Sequence, residues 1–229
     1  MEMTYWSRRV EEHGDRDGGV NEAHPMRSVT EQVAMGRQGW SPERATKVRD
    51  LFDSMADEWS RRNGIERTEA LLEALDRLRP RGETCLELGC GTGSVLGHLG
   101  ESFERAIGID LSMEMLTKSQ CAHMAMAQAD SSRLPFPDHS VDVIVVVNSF
   151  LFVEEYQRVL DEDGTIIWVS TNGDRTPIYL SPERVHELLG EQYYGVSAPC
   201  GNGVWSGFSR TRYWPTSDEQ SFSPRGTGT

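Results

Sequence analysis

Lysine is almost missing from this chain: Lys47 and Lys118 are the only two, and every other strong cation is arginine. Positive charge as a whole is scarce, with 23 Lys and Arg against 36 Asp and Glu and a formal net charge of −13. No basic patch interrupts the acids, so a run of phosphates would find nothing to neutralise it, and both nucleic acid and an anionic membrane surface are disfavoured as partners. Long apolar runs are missing as well. The longest aliphatic stretch is Val143–Val147, far short of the roughly 20 residues that a membrane-spanning helix requires. The first thirty residues are charged throughout, so no secretory leader is expected. Cysteine is sparse: Cys85, Cys90, Cys121 and Cys200 form no C-x-x-C pair and have no His-rich segment beside them, so no metal site is expected. Four free thiols fit a reducing compartment, and the expectation is an acidic cytoplasmic protein.

What is present fills about one domain with an extension, since 229 residues suffice for a sizeable core. Residues 1–40 are polar and irregular, with Tyr5, Trp6 and Trp40 as the aromatic exceptions, and are expected to be a mobile N-terminal arm. Ser41-Pro42-Glu43 offers an N-cap, a proline at the first helical position and an acid in the first turn. Ala45, Val48, Leu51, Phe52, Met55, Ala56 and Trp59 then recur on one helical face. A second helix over 65–78 carries Leu71, Leu72, Leu75 and Leu78, and the two together predict a helical cap over 41–80.

From Thr84 the period changes. Thr84–Leu88, Ala106–Ile109, Met124–Gln128, Val141–Val147 and Gly164–Ser170 read as strands, with helices over Ser94–Gly100, Met113–Ser119 and Glu154–Leu160. An Asp163-Gly164 turn precedes the fifth of these strands. Ser181-Pro182-Glu183 repeats the helix-start signature, and Cys200–Gly203 joins a closing hairpin. The tail 215–229 is rich in Ser, Thr, Pro and Gly and is expected to be disordered. Alternating strands and helices predict an α/β domain over 41–214, a doubly wound and mostly parallel seven-stranded sheet with an antiparallel edge strand.

The sharpest local signal is Glu87-Leu88-Gly89-Cys90-Gly91-Thr92-Gly93, a strand feeding a glycine-rich turn that opens a helix. Glycines there permit backbone angles closed to other residues and let a ligand lie on bare main chain. Asp110 ends the next strand, where an acid can accept from two ribose hydroxyls. The dinucleotide fingerprint would need glycine at position 94, where this chain has Ser94, and the Glu87 carboxylate suits a cationic ligand better than a phosphate.

These residues resemble the class I S-adenosylmethionine-dependent methyltransferases over roughly 42–212, and in particular the small-molecule methyltransferases of actinobacteria and the quinone-type branch. The turn at 87–93 resembles that family's first motif. Gly108-Ile109-Asp110-Leu111-Ser112 with Met113–Leu116 resembles the second, Ala129-Asp130-Ser131 with Leu134-Pro135-Phe136 the third. Asp142–Val145 leading to Asn148 resembles the fourth strand and the position after it, and Glu155–Leu160 the segment before the fifth.

The resemblance implies a Rossmann-like fold and S-adenosylmethionine as cofactor. It would lie over Glu87, Gly89, Cys90 and Gly91, with its ribose on Asp110 and its adenine among Leu111, Met115, Asp130 and Ser131. The methyl would point toward Asn148, which has strand capping as an equal alternative role. The implied acceptor is a small molecule, methylated on O, N or C. No catalytic residue is assigned, because the family's catalytic histidine has no counterpart and the stretch between Asn148 and Arg158 is short. Two alternatives stay open: an NAD(P)-dependent oxidoreductase, and a non-catalytic cofactor-binding protein of the same fold.

Overall fold

The computed structural model describes residues 3–14, 24–36, 39–59, 66–119, 121, 123–211 and 214. Along the chain these form β1 (Thr4–Tyr5), α1 (Pro25–Ala34), α2 (Pro42–Trp59), α3 (Glu66–Leu78), β2 (Thr84–Leu88), α4 (Leu96–Ser102), β3 (Arg105–Asp110) and α5 (Met113–Thr117). There follow β4 (Ala125–Gln128), β5 (Val141–Val147), α6 (Val153–Val159), β6 (Leu160–Ser170), α7 (Pro182–Leu189), β7 (Tyr194–Cys200) and β8 (Gly203–Ser209). The tail at 215–229 lies outside the described residues.

One sheet holds all eight strands, in the order β1-β7-β8-β6-β5-β2-β3-β4. Every pairing is parallel except those of β8, which runs antiparallel to both β6 and β7. The central strands are buried on both faces, which is why they barely alternate in sequence. In β5, Val143, Val145 and Val147 pack with Leu71 and Ala74 of α3 and Leu96 and Leu99 of α4. Ile144 and Val146 pack on the opposite face with Tyr156 and Val159 of α6 and Val185 and Leu189 of α7. After β1 at the margin, the chain enters the middle of the sheet at β2, winds outward to β3 and β4, then returns to β5 on the other side of β2. Such a reversal of strand order opens a crevice beyond the carboxyl ends of β2 and β5.

The helix-start signatures act as expected. Ser41 Oγ accepts from Arg44 N at 3.2 Å and Ser181 Oγ from Arg184 N at 3.2 Å. Other boundaries move. α4 starts only at Leu96, because the chain from Gly91 to Val95 is spent in consecutive turns. β6 starts at Leu160 and absorbs the Asp163-Gly164 pair, with a register shift opposite Val141–Val143. The two helices of the expected cap divide their work. α3 buries Ala70, Leu71, Ala74 and Leu78 against the sheet, whereas α2 lies over the crevice.

Residues 1–40 depart most from expectation. Instead of an irregular arm, the structure has β1 pairing with β7, extending the sheet to eight strands, and a ten-residue α1. The reason is Trp6, 5 % exposed and edge-on to Trp205 with ring centroids 5.7 Å apart. The Arg77 guanidinium lies 4.8 Å from the Trp6 ring centroid and 5.3 Å from that of Trp205. It donates to Ser7 O at 2.9 Å and to Glu73 Oε1 at 2.7 Å. A buried cation is tolerated when a carboxylate, a carbonyl and two ring faces surround it. Replacing Trp6 by Ala removes one of those faces and leaves a cavity. The expected loss is about 3 kcal/mol of unfolding free energy, read from the shift of the urea midpoint.

Candidate functional site

The sheet's crevice is built from the ends of its central strands. After β2 the chain turns through Gly89, Gly91 and Gly93 at φ of 75°, 55° and 74°. This left-handed region is open to glycine and strained for other residues. At Gly89 a side chain would also collide with the Ser149 hydroxyl. The turn is stitched to β3: Gly89 N and Cys90 N donate to Ile109 O at 2.8 and 3.1 Å. Gly91 N donates to Asp110 Oδ2 at 2.7 Å, and Ser112 N donates to Asp110 Oδ1 at 2.8 Å. One carboxylate therefore ties the glycine turn to the loop that starts α5. Ser112 continues the chain of contacts, capping α5 through Met115 N at 3.0 Å and bonding Asp53 of α2 through its hydroxyl.

Burial raises the Asp110 pKa above the usual carboxylate value. The N–H donors of Ser112, Gly91 and Leu111 pull it back, and the charge of Asp53 adds to the rise. Burial also pushes up the Cys90 thiol, aided by Glu87 and Asp110, which leaves this cysteine protonated and unreactive. Glu87 itself is 3 % exposed on β2, an acid at the floor of the crevice.

All ten residues singled out from the sequence line one cavity: Glu87, Gly89, Cys90, Gly91, Asp110, Leu111, Met115, Asp130, Ser131 and Asn148. Met115 is at once cavity wall and core, 1 % exposed. Asn148, at φ 52°, is turned toward β6. Its Nδ2 donates to Thr171 Oγ1 at 2.8 Å, while its Oδ1 accepts from Thr171 N at 2.9 Å. This is the strand-capping geometry, clamping the ends of β5 and β6 together. His186 Nε2 donates to Tyr193 O at 2.7 Å and its ring stacks on Phe208, a packing histidine away from the crevice.

The cap side of the cavity was not foreseen. Trp40, Phe52, Trp59, Phe150 and Phe152 project into it and narrow its open volume to about 80 Å³. Trp40 Nε1 donates to both oxygens of Asp130, at 3.1 and 2.9 Å, and its ring packs on Phe150 and Phe152. The spacing of Phe52 and Trp59 marks a buried face of α2, but a face buried on core and one buried over a ligand site look alike in sequence.

The loop carrying Asp130 is held from behind. Arg158 donates to Glu155, to Asp138 Oδ1 at 2.7 Å, and to the carbonyls of Leu134 and Phe136 at 3.1 and 2.9 Å. Glu155 Oε1 accepts in turn from Leu134 N at 2.5 Å. The Glu155–Arg158 segment thus shapes the loop without entering the cavity.

Residues 86–166 match the family described as "Methyltransferase domain". Over those residues the chain is similar to the class I methyltransferases. The cofactor of that class is S-adenosylmethionine. A Bacillus subtilis protein provisionally named as a 23S rRNA (guanine-N(1)-)-methyltransferase is 33 % identical over 151 residues, which is 60 % of this chain and 52 % of that one. A malonyl-[acyl-carrier protein] O-methyltransferase of Erwinia billingiae is 30 % identical over 150 residues, 62 % of this chain and 56 % of its own. A fatty-acid O-methyltransferase of Mycolicibacterium smegmatis is 30 % identical over 115 residues, 44 % of this chain and 40 % of its own. The chain spans about half the length of the curated relatives it matches. Among solved structures, a Thermotoga maritima methyltransferase described as a possible histamine N-methyltransferase superposes with a TM-score of 0.55. It is 16 % identical, over 71 % of this chain and 99 % of that one, and shares the fold.

The residues lining the cavity fit that cofactor. The glycine turn leaves main chain bare where a side chain would collide, Asp110 keeps lone pairs beyond its backbone N–H donors for a ribose diol, and Glu87 supplies an acid for a cationic group. Gly89→Ala is expected to weaken S-adenosylhomocysteine binding by at least about tenfold, through the collision and the left-handed strain together, as measured by isothermal titration calorimetry.

Proposed function

We propose that this chain transfers a methyl group from S-adenosylmethionine to a small-molecule acceptor. The observation that carries the reading is the Asp110 carboxylate, half-buried at the reversal of strand order and shared between the glycine turn and the loop after β3. In this reading Asp110 holds the ribose hydroxyls, Glu87 faces the positively charged methionine end, and Asp130 and Ser131 meet the adenine edge. The bound cofactor supplies a sulfonium-activated methyl group.

Displacement at that methyl depends mainly on alignment, so the protein's part is to hold its parts still and exclude water. The Asn148–Thr171 clamp fixes the floor beside the reaction centre, and the aromatic rings of α2 and of residues 150–152 keep solvent out. No side chain is assigned as base for an acceptor that loses a proton. A small acceptor is supported by the net charge of −13 and by a relative named as a fatty-acid O-methyltransferase. Among the described residues no helix is long and apolar enough to cross a membrane, and no cluster of His, Cys, Asp and Glu is placed to hold a metal.

A thermal-shift comparison of S-adenosylmethionine, S-adenosylhomocysteine, NAD and NADP tests the reading. At about 100 times the dissociation constant a ligand stabilises by about 2.7 kcal/mol, which raises the midpoint of a domain this size by roughly 5–11 °C. A shift with the adenosyl ligands alone is expected, and a shift with the nicotinamide ligands alone overturns it. Asp110→Ala should cost about 1–3 kcal/mol of adenosyl-ligand binding.

The ribose hydroxyls need the Asp110 carboxylate as acceptor, and its pKa is raised. Wild-type affinity should therefore fall as pH drops through that raised value, while Asp110→Asn should lack this dependence. Trp40→Phe keeps a ring but releases Asp130 from the indole N–H. It is expected to tighten S-adenosylhomocysteine binding by up to about tenfold, a hydrogen bond to a charged group being worth about that much.

A further inference from the structure

A second cavity, of about 750 Å³, lies on the far side of Trp40 and Phe152 from the first. Its volume is that of a small-ligand site. Val33 at the end of α1, Trp40, Leu134, Phe136, Phe152 and Val153 give it an apolar wall. Trp40 and Phe152 belong to both cavities, with ring centroids 5.2 Å apart. All that separates the two spaces at this point is a pair of aromatic rings.

The charged groups around the second cavity cancel. Glu155 and Arg158 are bonded to each other at 2.6 Å, and Arg158 is further engaged by Asp138 and two carbonyls. Arg133 and Glu154, opposite in sign, stand exposed at the rim. A charged occupant would give up its hydration without a counter-ion inside. The same Arg158 and Glu155 bonds hold the Leu134–Phe136 loop open from behind, so the wall is formed in advance.

We propose that the second cavity takes the body of the methyl acceptor, an uncharged apolar molecule whose nucleophilic end passes the Trp40–Phe152 pair toward Asn148. This deepens the methyl-transfer reading and rests on it. Occupancy of the two cavities is coupled through the shared rings, and the cavity selects against ionic acceptors.

The neutral dye N-phenyl-1-naphthylamine and its sulfonated relative 8-anilinonaphthalene-1-sulfonate, titrated by fluorescence onto the full chain, test this. The neutral dye should bind at least about tenfold tighter than the sulfonate, a difference of about 1.4 kcal/mol. Val153→Trp, which fills the cavity, should weaken the neutral dye by at least about tenfold. If that variant is shown by circular dichroism to be unfolded, the milder Val153→Met should weaken it by about threefold. Saturating S-adenosylhomocysteine should change the dye's affinity by at least about threefold, and the dye should change S-adenosylhomocysteine affinity by the same factor.

Equal dye binding by wild type and the folded filling variant, a tighter sulfonate, or the absence of coupling would each overturn the proposal while S-adenosylhomocysteine still binds. Failure of S-adenosylhomocysteine to bind wild type in the dye-free control would instead remove the methyl-transfer reading itself, and the acceptor assignment with it.

Discussion

The carboxylate of Asp110 is the contact on which the shape of the site depends. Its two oxygens each take one backbone N–H, from Gly91 and from Ser112, so the turn after β2 and the loop after β3 cannot move independently. Through Ser112 the same connection reaches α5 and then Asp53 on α2. A single half-buried acid thereby couples two strand ends, one short helix and the cap. Burial makes its charge costly, and the N–H donors offset part of that cost, a balance seen in the direction of its pKa. A ligand with hydroxyl donors would complete the compensation.

Much of this was legible in the residues. The strand-turn-helix around Gly89, the acid at Asp110, and the strands from Thr84 to Ser170 are local patterns whose physics is contained within a few positions. Burial on both faces wrote itself into Val143–Val147 as an unbroken apolar run. The ten residues taken from the motifs meet around one cavity because a parallel sheet brings every strand's carboxyl end to one edge.

Less legible was whatever depends on distant partners. Trp6 sits in a polar segment with no periodicity, and only the Arg77 and Trp205 side chains, from α3 and β8, give it a reason to be buried. Trp40 likewise gains its place from Asp130, ninety positions away along the chain. The Asp163-Gly164 pair has turn chemistry, yet pairing to β5 across a shifted register overrides it. Asn148 illustrates the opposite case: its two open roles differ only in which way the carboxamide faces, and Thr171 shows which contact it makes.

Among the described residues the eight-stranded sheet ends on two short strands, both poor templates for another chain. At one end β1 contributes only two residues, so few unpaired main-chain groups are presented there. At the other, β4 is four residues long and largely solvated. An exposed long apolar edge invites intermolecular strand addition, and short margins limit it. The docked N-terminal segment therefore serves the solubility of the folded chain as well as its stability: without it β7, seven residues long with a mostly buried face, would become the outer strand and a starting point for aggregation.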